Sequence, residues 1–454
     1  MDIETLRMTY PKFIYHSYEI NNEEDKIVLK FDFEIENLKR FNPTTTILKK
    51  DFDIKNIDSN RAKKIVFFMG MVEAISYYKA VCSPKFVIEC GRLDKEQEEF
   101  YLNLLYYGLG EFRYRNEIDI KKENFVQFIS EGEELVSDYS DEIKRENKGL
   151  IIPVGGGKDS VVTMELLKKY KDDTLCMSIG AKDVVVDCIE AAGFDRTQLI
   201  EVKRVIDKNL IELNNEGYLN GHTPFSAILA FINYYVAFVL GKKYIALSNE
   251  DSANESNVAG EKINHQYSKT YEFENNFRNF VKKNIECDIE YFSFLRPIKE
   301  IQIAMLFSRF KKYHKVFKSC NVGSKSTPWV WCCNCPKCLF VYTILSPFIE
   351  REEMVSIFGE DLFERKDLEK TFIELCGFGD IKPFECVGTY EEVQYAVVKA
   401  INNYKKMGMD LPYLLKIYEE RYNMNVIEYA KFYNEENFLP KEFDEILRNS
   451  ILNS

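Results

Sequence analysis

Two short segments of this 454-residue chain gather the residue types that phosphate chemistry and metal binding need. The first is Pro153-Val154-Gly155-Gly156-Gly157-Lys158-Asp159-Ser160. Its glycines let the backbone turn tightly and bring N–H groups close to phosphate oxygens. A helix that begins near Ser160 adds the positive end of its dipole at the same point. Asp159 is suited to hold Mg²⁺, and Ser160 to cap the helix and bond a phosphate. Gly155, Gly156, Gly157, Lys158, Asp159 and Ser160 are therefore the candidate phosphate-binding residues. The loop is not a Walker A motif, because Ile152 stands at its first glycine and Asp159 follows the lysine. A dinucleotide fingerprint fails as well, since Ser160 occupies its third glycine. The second segment is Cys320 followed by Cys332, Cys333, Cys335 and Cys338. Cys332, Cys335 and Cys338 form C-x-x-C-x-x-C, and Cys320 can complete a set of four thiolates. Such a set suits a closed, structural, tetrahedral zinc site. An iron–sulfur cluster is the alternative metal group, buried free cysteines the metal-free one, and Cys333 is a spare thiol that could replace one ligand.

The hydrophobic pattern supplies a scaffold that could position these groups. A short apolar strand, Leu150 to Val154, runs into the glycines, and a helix follows from Ser160 to Tyr170. Strands over Thr174 to Ile179, Gln198 to Val202 and Tyr244 to Ser248 alternate with helices over Val184 to Ala192 and Pro224 to Leu240. This alternation predicts a parallel sheet covered by helices on both faces, with ligands at the carboxyl ends of the strands. Asn220-Gly221-His222-Thr223-Pro224 precedes the long helix, and Ser248-Asn249-Glu250-Asp251 follows the last of these strands. Both should face the same crevice, where Glu250 could bind Mg²⁺ or substrate and His222 could contact a nucleotide. Upstream, the alternation at 27–35 predicts a half-buried strand, and the patterns at 66–82 and 95–109 predict helices. The polar stretch at 131–148 is helix or linker and marks a boundary. The pattern thus divides the chain into an N-terminal α+β domain (1–140), a parallel-sheet α/β domain (149–345) and a mostly helical C-terminal region (346–454), interrupted between Gly377 and Gly388.

Apolar residues make up 46% of the chain and charged residues 30%, an ordinary globular balance. The net charge of -12 argues against a nucleic-acid partner bound through a broad basic face. It leaves room for a local basic pocket that takes an anionic small molecule. The most apolar helix, Ser226 to Leu240, is too short to span a membrane and carries Asn233. An acidic, polar N-terminus is not a secretory signal. A cytoplasmic location, with reduced or metal-bound thiols among the twelve cysteines, is therefore expected.

The glycine segment resembles the S-G-G-x-D-S loop of the PP-loop ATP pyrophosphatases. Gly155 replaces the first serine, while Gly156, Gly157, Asp159 and Ser160 match. The resemblance implies ATP split to AMP and pyrophosphate, with AMP passed to an oxygen such as that of a carboxylate. The cysteine arrangement is similar to the zinc site of the PP-loop enzyme that makes cyano-deazaguanine. Further segments are Gly221-His222-Thr223-Pro224, Ser248-Asn249-Glu250, Cys335-Pro336-Lys337-Cys338-Leu339-Phe340, Lys382-Pro383-Phe384-Glu385-Cys386-Val387-Gly388, Cys82-Ser83-Pro84 and Glu89-Cys90-Gly91. Together with the loop they resemble one family over most of the chain, the MurL-type UDP-N-acetyl-muramoyl-L-alanyl-L-glutamate epimerases.

That resemblance implies inversion of the terminal L-Glu of a small anionic UDP-sugar-peptide, a peptidoglycan precursor, using ATP and Mg²⁺ and passing through an acyl-adenylate. By residue type alone, Cys82, Cys90, His222, Lys382 and Cys386 are candidates for moving the Cα proton. Each cysteine could instead be a small buried hydrophobe, and Lys382 a solvent-facing charge or a phosphate contact. Two other readings stay open here. One is a different PP-loop enzyme that modifies a nucleobase or forms an amide, and the other is a non-catalytic ATP-binding scaffold.

Overall fold

The computed structural model describes residues 2–257, 262–379, 381–429 and 431–452. Among these residues eleven strands form one sheet. They are β1 (Lys12–Asn22), β2 (Lys26–Ile35), β3 (Lys39–Phe41), β4 (Thr44–Leu48), β5 (Lys85–Ile88), β6 (Gln127–Ser130), β7 (Leu150–Pro153), β8 (Thr174–Ile179), β9 (Leu199–Val205), β10 (Tyr244–Leu247) and β11 (Glu290–Ser293). Their order is β11-β10-β7-β8-β9-β4-β2-β1-β5-β6, with β3 paired to β2.

The block from β11 to β9 is parallel throughout. Its short apolar strands are covered on both faces, and alternate residues feed two different cores. Ile151 of β7, Met177 of β8 and Ile245 of β10 join one core, while Ile152, Cys176 and Ala246 join the other. Burial on both sides explains the unbroken apolar runs in the sequence. Helices Lys158–Leu166 and Asp183–Ala191 pack into the second core, and Phe225–Leu240 and Tyr271–Asn284 into the first. The chain moves from β7 through β8 to β9 and then crosses back over β7 to β10 and β11. The strand order reverses at β7, and that reversal opens a crevice beyond its carboxyl end.

Strands β1, β2 and β4 are antiparallel neighbours. β4 then pairs antiparallel with β9, Ile47 opposite Val202, so the N-terminal strands and the parallel block share a sheet. The fold is α/β with a largely parallel mixed sheet and a helical C-terminal region, as the sequence pattern predicts. Local differences have plain causes. The helix expected over 66–82 is Asn60–Glu73, capped by Ser59, followed by a separate turn at Ile75–Tyr78. β5 and β6 have four residues each, too few to reveal a period of two. Residues 131–148 contain neither helix nor strand. Helices Pro336–Leu345, Tyr390–Lys406 and Lys441–Leu452 contribute to the second core. Among the described residues no helix is long and apolar enough to cross a membrane.

Candidate active site

The glycine loop leaves β7 at the crevice. The Val154 N–H donates to the Met177 carbonyl at 2.8 Å, so the chain stays tied to β8 until the turn. Gly156 has φ of +78, and a Cβ there would lie 2.9 Å from Val184. A Cβ on Gly157 would come within 2.7 Å of the Ser319 hydroxyl. Gly156 therefore needs glycine, a side chain on Gly157 would have to displace the Ser319 hydroxyl, and Gly155 faces open space. The helix begins at Lys158 with Gly157 as its cap, two residues before the expected start. Ser160 is consequently not the cap; it sits in the first turn, where its hydroxyl donates to the Gly157 carbonyl at 3.0 Å. Beside the loop lies a cleft of about 310 Å³ bounded by Gly155, Met177, Ile179, Phe225, Leu229 and Trp329.

A buried charge cluster underlies the loop. Lys158 is almost fully buried, and its ammonium pairs with both Asp159 and Glu300. Burial opposes the charge on Asp159, yet Lys158, Lys337 and Lys269 hold its carboxyl below the usual range. Burial pushes the Glu300 carboxyl up, and the neighbouring Asp159 and Glu250 charges add to the rise against the pull of Lys158. Glu250 lies just past β10 and is buried. Its carbonyl accepts from the Arg296 guanidinium at 2.6 Å. Arg296 is fully buried and also donates to the Lys269 carbonyl and, at 3.2 Å, to Glu274. One paired cation thus fixes the backbone at two site residues, and removing it would strand the buried Glu274 carboxylate.

A second cluster joins residues from four distant stretches. The helical turn Gly110–Arg115 carries Glu111, whose carboxylate accepts from His265 Nδ1. The His222 ring lies 4.3 Å from that of His265, and its Nδ1 is 3.7 Å from Glu111. Lys269 Nζ donates to Cys386 Sγ at 3.4 Å. Burial works against the Cys386 thiolate, but Lys269, His265 and Lys337 bring the thiol down to about 6. Burial likewise opposes a charged His265, but the neighbouring Cys386 and the hydrogen bond to Glu111 lift it to about 9. His222 is driven down to about 3 by burial and by the neighbouring His265 charge. Burial also opposes the Lys269 charge, which Cys386, Glu250 and Asp159 sustain above its ordinary value. Lys269 therefore responds to both clusters.

The other acid–base candidates lie in different settings. Cys82 is fully buried, donates to the Lys79 carbonyl at 3.6 Å, and is raised by burial to about 12. Cys90 is raised to about 12, again mainly by burial. Lys382 is not the solvent-facing charge that is one expectation from sequence. It is buried and paired with Glu255. Glu111, His265, Lys269, Arg296 and Glu300 carry no local motif, and sequence reasoning misses them.

The four motif cysteines converge. Cys320, Cys332, Cys335 and Cys338 have all their sulfurs within 4.8 Å of one another, with individual separations of 3.5, 3.8 and 3.9 Å. Tetrahedral Zn–S bonds of about 2.3 Å require sulfurs about 3.8 Å apart, so the set fits a metal ion. Cys333 turns away and donates to the Phe358 carbonyl at 3.2 Å.

A doubly wound sheet, a glycine loop at its reversal point and buried acid–base groups beside that loop mark an α/β protein whose candidate site is this crevice. Comparison with known families narrows this class. Models of the MurL N-terminal domain and the MurL C-terminal domain match residues 4–294 and 316–423. A Xanthomonas oryzae protein named UDP-N-acetyl-alpha-D-muramoyl-L-alanyl-L-glutamate epimerase is 30% identical over 360 residues, 78% of each chain. Proteins of the same name from Micromonospora sp. and Salinispora tropica are 33% and 32% identical over 333 residues. Those matches cover 72% of this chain, and 73% and 71% of the respective relatives. The chain belongs to the MurL family.

Proposed function

We propose that this chain is an ATP-dependent epimerase that converts UDP-MurNAc-L-Ala-L-Glu to its D-Glu form, with release of AMP and diphosphate. The observation that carries this reading is the adjacency of two clusters, linked through Lys269: a phosphate-type loop with Asp159, and the group around Cys386. Gly155, Gly156 and Gly157, with Lys158 and Ser160 at the start of the helix, would receive the phosphates. The largely apolar cleft at Met177, Leu229 and Trp329 is suited to an adenine ring. Asp159 and Glu250 would hold Mg²⁺, which would offset phosphate charge. The four cysteines would hold zinc as a structural clamp that takes no part in the chemistry. In this reading residues 1–140 contribute substrate binding, 149–345 form the ATP domain, and 346–454 form a helical support. The cytoplasm, where ATP is abundant and thiols stay reduced, suits this chemistry.

The chemical logic concerns charge. A free α-carboxylate is already anionic, and loss of the adjacent Cα proton would place a second negative charge beside it. Converting the carboxylate to a mixed anhydride with AMP removes the first charge and acidifies the Cα–H bond. Proton removal and return can then invert the centre, and water releases AMP. The glutamate nitrogen is acylated and cannot compete as an amine. Hydroxylamine tests the activated carboxyl directly. With ATP, Mg²⁺ and substrate it should yield the glutamyl hydroxamate and stoichiometric AMP. Formation of ADP, or no hydroxamate, would overturn the reading.

A further inference from the structure

The activation step leaves one group of side chains without a task. Cys386 Sγ accepts from Lys269 Nζ at 3.4 Å, and the His265 charge acts on the same sulfur. His265 in turn is held by Glu111, an arrangement in which a third residue orients the partner of a reactive thiol. Cys386 is only half-buried, unlike the sealed Cys82. The Lys337 ammonium donates to the Cys386 carbonyl and so fixes its backbone.

We propose that Cys386 is the catalytic residue that exchanges the glutamyl Cα proton, with Lys269, His265 and Glu111 as its positioning residues. The inference rests on the reading that a carboxyl-activated glutamate occupies this crevice. As Sγ takes the proton, the S–H bond forms and the Cα–H bond breaks. The C–H electron pair passes into the activated acyl group. A solvent-derived proton then returns to the opposite face, and the Cys386 proton leaves to solvent. No oxidant or reductant is required.

The electrostatics fit this role. Three cations face the sulfur, those of Lys269, His265 and Lys337. Glu111 and His222 face His265, while Glu250 and Asp159 act on Lys269. At neutral pH the result is an anionic sulfur beside a cationic imidazole, two groups driven to opposite sides of neutrality. Cys82, raised to about 12, stays a neutral thiol under the same conditions.

The test uses three readouts on the full-length protein. Cys386→Ser should retain substrate-dependent exchange of labelled pyrophosphate into ATP, while Cα deuterium incorporation falls at least about a hundredfold. Peptide-mapped alkylation by iodoacetamide should show Cys386 reacting half-maximally near pH 6, far below Cys82. Glu111→Gln weakens the His265 charge, so both the alkylation profile and the acid limb of deuterium exchange should move to higher pH. Full deuterium exchange in Cys386→Ser would overturn the proposal while leaving adenylation intact. An ordinary alkylation pH for Cys386 would overturn it as well. Absence of pyrophosphate exchange in the unaltered protein would instead refute the adenylation reading on which it rests.

Discussion

Replacing Asp159 by alanine is expected to cut substrate-dependent diphosphate release at least about a hundredfold without unfolding the protein. The reason lies in the two partners of Lys158. Its ammonium is buried between Asp159 and Glu300, so Asp159→Ala removes one carboxylate and leaves the other in place. The buried cation keeps a counter-charge, and stability should fall by no more than about 2 kcal/mol. What is lost is the carboxylate at the first turn of the loop helix, where phosphate and Mg²⁺ charge would converge. A coupled pyrophosphate assay with a parallel urea titration separates the two effects. Normal diphosphate release in a folded variant would remove the loop from the mechanism.

The second large effect concerns the cysteine cluster. The purified protein should contain about one zinc per chain, and Cys335→Ala should lose it. Cys335 caps helix Pro336–Leu345, and its sulfur is 3.5 Å from Cys338 and 3.9 Å from Cys320. Three of the four ligands are buried in the same core as Trp331 and Phe358, so loss of the metal loosens that core. A stability loss of at least about 3 kcal/mol is expected, with residual activity per folded molecule close to that of the unaltered protein. Metal analysis and thermal unfolding with and without a chelator check this. Iron and sulfide in place of zinc, or an unchanged melting temperature, would contradict it.

What could be read from the sequence follows a physical divide. The glycine loop and the cysteines are legible because their chemistry sits in consecutive or closely spaced residues. The parallel block is legible because burial on both faces leaves apolar runs such as 150–154 bounded by glycine. Gly156 illustrates the limit of that legibility. Its presence signals a tight turn, but only the packed structure shows that Val184 excludes a side chain there. The Cys386 cluster is of another kind. Glu111, His222, the nearby pair His265 and Lys269, and Cys386 meet through tertiary packing, and no motif spacing connects these four stretches. Residue type alone raises Cys82, Cys90, His222, Lys382 and Cys386 together, and their surroundings separate them. Cys82 and Lys382 are enclosed by a core and an ion pair, respectively, whereas Cys386 lies beside three cations. Ser160 does not cap the helix because Gly157 serves as cap and the helix begins two residues earlier, at Lys158.

The central claim is that inversion proceeds through an activated carboxyl and proton exchange at Cα. It is tested most directly by incubation with ATP, Mg²⁺ and UDP-MurNAc-L-Ala-L-Glu in D₂O. AMP, pyrophosphate, and the mass and chirality of the recovered glutamate are then followed. The expected result is D-Glu carrying one deuterium, with AMP and pyrophosphate formed alongside. Recovery of unlabelled L-Glu with no AMP would contradict the account.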